Sequence, residues 1–443
     1  MSSSAENYEP RTVYLPLKKL DKCSACGKTT TLRLCSSCGE QIYCSPTCQK
    51  KGWPEHKKTC GKTDRIDLAN FYPLLAGLAE AARLHPEKPI HPAQTHVIVN
   101  TPNPGVPATV FSDKSAAKLI LLGEPISIAE AARNSEKWWP TASSPSVRMK
   151  LFRRIGREGY LLPILTSLCI GLLAEMYTST AGSAPDGELR RRMRLQYNSS
   201  PISDFGIAKA IADDKLAYFN FSDNTFEKGQ DPDDHYLLYF TTIRGEEFIL
   251  DLGMFTFNFC FVVRLEPYRF EFLPPMPYGP AFFRDRNLMR NAPDLFKIRQ
   301  RFSFLHNDAL HRAVKNSASV FQSDDSKTIC EFMETIAGRR CTAPEKDLAM
   351  KWSINSCMGI GITLRKREYR TWTSPLVDIE VDPGEMDETP EEDLEWWKYM
   401  KKWNRKYKRG EISQQALGNA FRAWENRHRS AQVTEHLHSM RIR

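Results

Sequence analysis

Seven cysteines and one histidine fall within residues 23–60, spaced C-x2-C-x8-C-x2-C-x5-C-x3-C-x7-H-x3-C. They are Cys23, Cys26, Cys35, Cys38, Cys44, Cys48, His56 and Cys60, and no other feature of the chain restricts its fold as strongly. A two-residue gap lets two sulfurs of one turn face the same ion. The gaps at Cys44/Cys48 and His56/Cys60 are i,i+4 spacings, which share a helix face. Eight soft nitrogen and sulfur ligands suit two tetrahedral zinc ions with closed shells. So short a segment cannot build a self-sufficient core, and zinc must supply much of its folding free energy. Reading these cysteines as small buried hydrophobes would leave the complete set of eight unexplained.

The other five of the twelve cysteines (Cys169, Cys260, Cys330, Cys341 and Cys357) are scattered. Residues 1–10 are polar and lack the apolar core of a signal peptide. The sequence therefore predicts a reducing compartment, nucleus or cytoplasm, where clustered cysteines mean metal rather than disulfides. The formal charge of +9 counts every cysteine as a thiol. Ionising seven thiols and adding two dications lowers it by three, to +6, which weakens the prior for acidic partners.

The segment resembles the MYND finger family over residues 23–60. The likeness lies in Cys-Ser-Ala-Cys-Gly at 23–27, Ile-Tyr-Cys-Ser at 42–45, Cys48-Gln49, and Trp53 with His56 and Cys60. The resemblance implies a cross-brace, in which Cys23, Cys26, Cys44 and Cys48 hold one zinc and Cys35, Cys38, His56 and Cys60 the other. It also implies a protein or peptide partner, since many such fingers bind short proline-containing peptides alongside a strand, as in β-augmentation. The positions matching the family's peptide contacts are Gln49 and Trp53, with Ile42 and Tyr43 as the strand edge. Trp53 could instead pack on the zinc-bound loop, and Gln49 could be a solvated surface residue. Six Lys or Arg against two Glu give the finger +4, and the two loaded sites bring it near +1. That lacks the basic footprint of nucleic-acid binding.

Beyond the finger, length leaves room for a larger domain at roughly 100–200 residues each. Residues 1–22 read as a flexible lead-in, and 64–385 as a large mixed α+β domain. Asp64–Leu84 has apolar residues at helical spacing (Leu68, Phe71, Leu74, Leu75, Leu78). Strands are expected at His96–Asn100 and Thr109–Phe111, and two helices in Ser146–Thr178, the first rich in arginine (Arg153, Arg154, Arg157). The apolar run from Tyr160 to Met176 falls short of the ~20 residues of a membrane span and reads as a buried helix. Tyr236–Ile243 and Glu246–Leu252 around Arg244-Gly245 predict a hairpin, with Phe255–Phe261 as a further strand. Pro293–Arg365 reads as mainly helical.

Residues 386–443 read as a helical tail. Thr389-Pro390-Glu391-Glu392 forms a capping box and Gly410 a stop. Trp396, Tyr399, Met400, Trp403 and Tyr407 form one stripe, Leu417, Phe421 and Trp424 another. Burial of the first stripe on the main domain is expected, with partner docking as the alternative.

Signatures of an enzyme are weak. Arg244-Gly245-Glu246-Glu247 superficially fits SET-type methyltransferases, but Asn258-Phe259-Cys260 follows it and lacks the family's histidine. Asp231, Asp233, Asp234 and His235 could ligate metal, but turns favour such residues for backbone reasons. Cys260, His235 and Asp251 would form a Cys-His-Asp set only if the fold assembled them. No phosphate loop or dinucleotide fingerprint occurs. The stretch Gly229–Asn258 resembles a region of uncharacterised fungal proteins that also carry MYND fingers, which implies no activity. The sequence thus predicts a cross-braced two-zinc finger, an α+β domain and a helical tail, acting as a non-enzymatic adaptor with no membrane or nucleic-acid role and with oligomeric state left open. The alternative is an enzyme with its active site in 64–385.

Overall fold

Residues 161–176, the most apolar stretch of the sequence, form the helix around which the large domain is laid. The structure, a computed structural model, describes residues 11–100, 109–110, 116–133, 135–142, 144–179, 192–211, 216–228, 235–253, 261–268, 273–284, 297–315, 321–379, 391–413, 415–417, 419–420 and 423. In chain order, β1 is Thr12–Val13, β2 Arg33–Leu34, β3 Ile42–Tyr43 and α1 Pro46–His56. Then come β4 (Thr63–Asp67), α2 (Leu68–Arg83), β5 (His96–Ile98), β6 (Thr109–Val110), β7 (Ala116–Pro125), α3 (Ile128–Ala132), α4 (Pro145–Arg157) and α5 (Leu161–Met176). Strands follow: β8 (Thr178–Ser179), β9 (Arg192–Tyr197), β10 (Ser200–Ile211), β11 (Leu216–Asn220), β12 (Thr225–Lys228), β13 (His235–Thr242) and β14 (Glu247–Asp251). The last strands and helices are β15 (Phe261–Arg264), β16 (Tyr278–Pro280), β17 (Phe282–Arg284), β18 (Lys297–Ser303), α6 (Asp308–Ala313), α7 (Ser323–Ala337), α8 (Ala343–Lys366), β19 (Val377–Ile379) and α9 (Glu391–Lys408).

Every residue of α5 is buried, as expected of a helix that is apolar on nearly every face. It lies close against α8, because a Cβ on Gly171 would come within 2.9 Å of the Ser356 Cβ. A seven-stranded sheet ordered β17-β14-β13-β10-β9-β4 covers this core, with β18 added to β10. The predicted hairpin is β13–β14, closed at Gly245 with φ 77. A second, smaller core lies under the sheet β12-β11-β7-β5, where Trp138 and Trp139 pack with Val147, Leu151 and Ile155 of α4.

Four expectations change. Residues 64–67 are strand, not helix: β4 pairs in parallel with β9, and Asp67 caps α2 by accepting the Ala69 N–H at 2.9 Å. Lys297–Ser303 is also a strand, because β10 supplies a partner from Gly206 to Ile211 that local sequence does not reveal. The lead-in is tied down where it is described. β1 pairs with β8, and the buried Arg11 bridges Glu175 at 2.9 Å and donates to the Ala174 carbonyl at 2.7 Å. A cation there complements the C-terminal end of α5.

The tail supplies the fourth change. Its helix forms and stops at Gly410, φ 71, as the sequence predicts. Among the described residues, however, none of α9 joins the main core, Tyr407 is 42% exposed, and Tyr399 Oη donates to the tail's own Ala420 carbonyl at 3.4 Å. Phe255, Phe257, Phe259, Asp231, Asp233, Asp234, Asn258, Cys260, Thr389, Phe421 and Trp424 lie outside the described residues, as does the side chain of Trp396.

Candidate metal centre

Two Cys-x2-Cys-Gly turns begin the finger. Gly27 and Gly39 take φ 75 and 63, and their N–H groups bond to the Cys23 and Cys35 carbonyls, both at 2.8 Å. Only a residue without Cβ adopts this left-handed turn without strain, so each glycine folds its pair of sulfurs inward. β2 and β3 then pair (Arg33↔Tyr43, Leu34↔Ile42) and carry the chain to Cys44. Ser45 caps α1, accepting the Cys48 N–H at 3.2 Å, with Pro46 opening the helix. Helix α1 then carries Cys48 on its first turn and His56 at its end. At 1.5 Å per residue these stand about 12 Å apart, so one rigid rod serves both sites.

The ligand atoms gather as Cys23, Cys26, Cys44 and Cys48 in one cluster and Cys35, Cys38, His56 and Cys60 in the other. The pairs interleave along the chain, which is the cross-brace. Cys26–Cys44 and Cys44–Cys48 sulfurs are 3.5 Å apart and Cys35–Cys60 sulfurs 3.8 Å, with Cys38 Sγ 3.4 Å from His56 Nε2. A tetrahedron with Zn–S near 2.3 Å has edges of about 3.8 Å, so the spacings match a shared ion.

Electrostatics agrees with a cation at each centre. The neighbouring Cys26 and Cys48 sulfurs push the Cys44 thiol up to about 12. Burial raises the Cys23 thiol too, but backbone N–H groups from Ala25 onward outweigh it and draw it down to about 6. In the second cluster burial pushes Cys38 up to about 12, while backbone and His56 hydrogen bonds overcome burial and take Cys35 down to about 7. Neighbouring thiols of this kind cannot all ionise side by side unless a dication neutralises them, and zinc supplies that charge. One donor set is four cysteine sulfurs, the other three sulfurs and an imidazole nitrogen, and each fits one zinc ion.

Of the residues matched to peptide contact, Trp53 is 45% exposed and Gln49 partly so, one helical turn apart on α1. The Trp53 ring meets His56 edge-on with centroids 5.8 Å apart. Ile42 and Tyr43 side chains are buried, and the Ile42 carbonyl accepts the Ser24 N–H at 2.8 Å. The finger meets the large domain at Glu40, 3.8 Å from Arg194, and at Gly39, which lies against Arg65 and Pro201. Sequence reading missed these contacts, which carry no local signature, whereas the Ser45-Pro46 cap was there to be read.

The fold does bring His235 and Asp251 together: Nε2 and Oδ2 are 2.6 Å apart, both side chains fully buried. Asp251 also accepts the Gly253 N–H at 2.8 Å. Leu161 closes over Gly253, leaving no room there even for a methyl group. The pair is therefore a sealed link between β13 and β14. Glu247 of the glycine-glutamate run forms a bidentate pair with Arg301 on the sheet surface.

The MYND finger family matches residues 23–60. No curated protein and no solved structure matches the chain. MYND fingers are non-enzymatic zinc modules of protein–protein interaction, and this segment carries both of their metal clusters. Among the described residues no single helix is long and apolar enough to cross a membrane.

Proposed function

We propose that residues 23–60 capture an extended, proline-containing peptide of a protein partner, with Trp53 as the anchor and Gln49 beside it. The chain is then an interaction adaptor in a transcriptional setting rather than an enzyme. The setting rests on the finger's resemblance alone. The observation that carries the peptide reading is the exposure of Trp53, 45%, on a helix that carries one ligand of each metal cluster. One edge of the ring meets His56, and the remainder is open to a partner. Ile42 and Tyr43 would take part through the β3 backbone, since their side chains are buried. The hold of Ser24 on the Ile42 carbonyl limits pairing to the rest of that strand. The adaptor reading is supported by the sealed His235–Asp251 pair, which no substrate reaches in this conformation.

The test is an array of proline-containing peptides probed with the full-length protein and with Trp53→Ala. An exposure of 45% leaves about 100 Å² of the ring to be covered by a partner. At roughly 25 cal/mol/Å² that contributes ~2.5 kcal/mol, so capture should weaken at least about tenfold. Both zinc ions should remain bound. Equal capture by the two proteins, each with its full zinc content, would refute Trp53 as anchor.

A further inference from the structure

Helix α9 carries the basic footprint that the finger lacks. Residues 398–409 hold seven Lys or Arg and no Asp or Glu, and the helix's four acidic residues stand earlier, at 391, 392, 393 and 395. At 3.6 residues per turn, Lys398, Lys401, Lys402, Arg405 and Lys408 fall within an arc of about 120°. Tyr399, Met400, Trp403 and Tyr407 fall on the opposite side. The five cations of the arc are all exposed. Among the described residues, Arg409 pairs with Glu411 at 3.7 Å and Lys406 lies over the Trp403 ring at 5.3 Å, but none of the five has an ion-pair partner.

A solvated helix does not call for such a row. Basic residues in the last turn offset the helix dipole, which accounts for Arg405 and Lys408. It does not account for Lys398, Lys401 and Lys402, a turn or more earlier. Like charges at i,i+3 and i,i+4 destabilise a helix, so the row opposes the element that carries it.

We propose that this row docks on double-stranded DNA through its phosphates. Over about 15 Å of helix the cations meet a duplex bearing one negative charge per ~1.7 Å of its axis. A helix about 10–12 Å across fits the ~12 Å major groove of B-DNA, whereas that of duplex RNA is too narrow for side chains to read. From Lys398 onward the arc holds no apolar residue, so a protein partner would find charge there but no anchor to bury. A membrane would have to take up the aromatic side. That side is turned to the tail's own chain, since Tyr399 Oη bonds the Ala420 carbonyl and Ala420 is buried. Lysines are point charges that hold phosphates without reading bases, so binding is independent of sequence.

Fluorescence anisotropy with the full-length, zinc-loaded protein and two short DNA duplexes of unrelated sequence tests this. An RNA duplex, phosphatidylserine vesicles and polyglutamate are the competitors. Both DNA duplexes should bind equally. Five phosphate contacts give log affinity a slope of about −4.5 against log salt, a roughly 500-fold loss between ~50 and ~200 mM. Lys401→Gln, Lys402→Gln and Arg405→Gln together should reduce the slope to about −1.8. Lys50→Gln with Lys51→Gln, on the finger, should leave it unchanged. Glutamine forms helix about as well as lysine, and circular dichroism reports whether each variant is folded. If the triple variant is not, Lys398→Gln with Lys408→Gln, at the ends of the row, should reduce the slope to about −2.7. Three results would overturn the proposal: no binding of either DNA duplex at the lower salt, a slope that falls with the finger variant and not with a folded row variant, or a competitor bound as tightly as DNA.

Discussion

Glu80→Gln tests the charge arrangement that joins the two cores. The Glu80 side chain is 6% exposed, Arg83 3% and Arg157 19%. Arg83 also donates to the Leu252 carbonyl just past β14, so the carboxylate links α2, α4 and the main sheet. A neutral amide in its place would remove the carboxylate that stands between two guanidinium groups. Removing one partner of a buried pair costs about 3–5 kcal/mol. Arg157, the more exposed, can turn toward water, which places the expected loss near ~3 kcal/mol. At an m-value of about 3 kcal/mol/M, the urea midpoint of the large domain should fall by ~1 M. Tryptophan fluorescence follows this transition, since Trp138, Trp139 and Trp352 are fully buried.

The pH dependence adds a second check. Burial would raise the Glu80 carboxyl, but Arg157 and then Arg83 outweigh it and hold it below the ordinary 4.5. A depressed folded pKa means the stabilisation is present above 4.5 and is lost as pH falls through the lower folded value. The gap between the natural protein and Glu80→Gln should therefore be widest at neutral pH and close in acid. Equal midpoints at pH 7, or a gap that stays constant into acid, would refute the argument. Glu87→Gln, which breaks only the exposed pair with Lys351, serves as the control and should leave the midpoint unchanged.

Metal analysis should find two zinc ions per chain, and Cys44→Ser should unfold the finger while leaving the large domain's transition intact, because the finger core is a separate cluster; loss of both transitions together would contradict that. Gly206→Ala would drive a Cβ into the Phe302 carbonyl oxygen, so β18 should detach from β10, with a cost of ~3 kcal/mol or more and loss of amide protection at Ser303. A chain ending at Pro383 should keep the full-length urea midpoint, since no described residue of α9 joins the main core; a marked fall would show that the tail docks.

The sequence alone determined the finger. Its ligands recur at two- and three-residue gaps, so the geometry that gathers them is written locally, in turns closed by Gly27 and Gly39 and in one helix capped by Ser45. It also determined α5, whose largely apolar surface has no stable place but the core, and the β13–β14 hairpin, closed by a tight turn. Tertiary structure decided the rest. Thr63–Asp67 and Lys297–Ser303 are strands only because β9 and β10 lie beside them. Arg11 is ordered by Glu175, and His235 meets Asp251 across a sheet. Glu80 meets Arg157, 77 residues further along the chain. A short strand gains nothing from its neighbours in sequence until a distant backbone offers hydrogen bonds, and a buried charge is tolerable only where its counter-charge arrives. Spacing along the chain records neither.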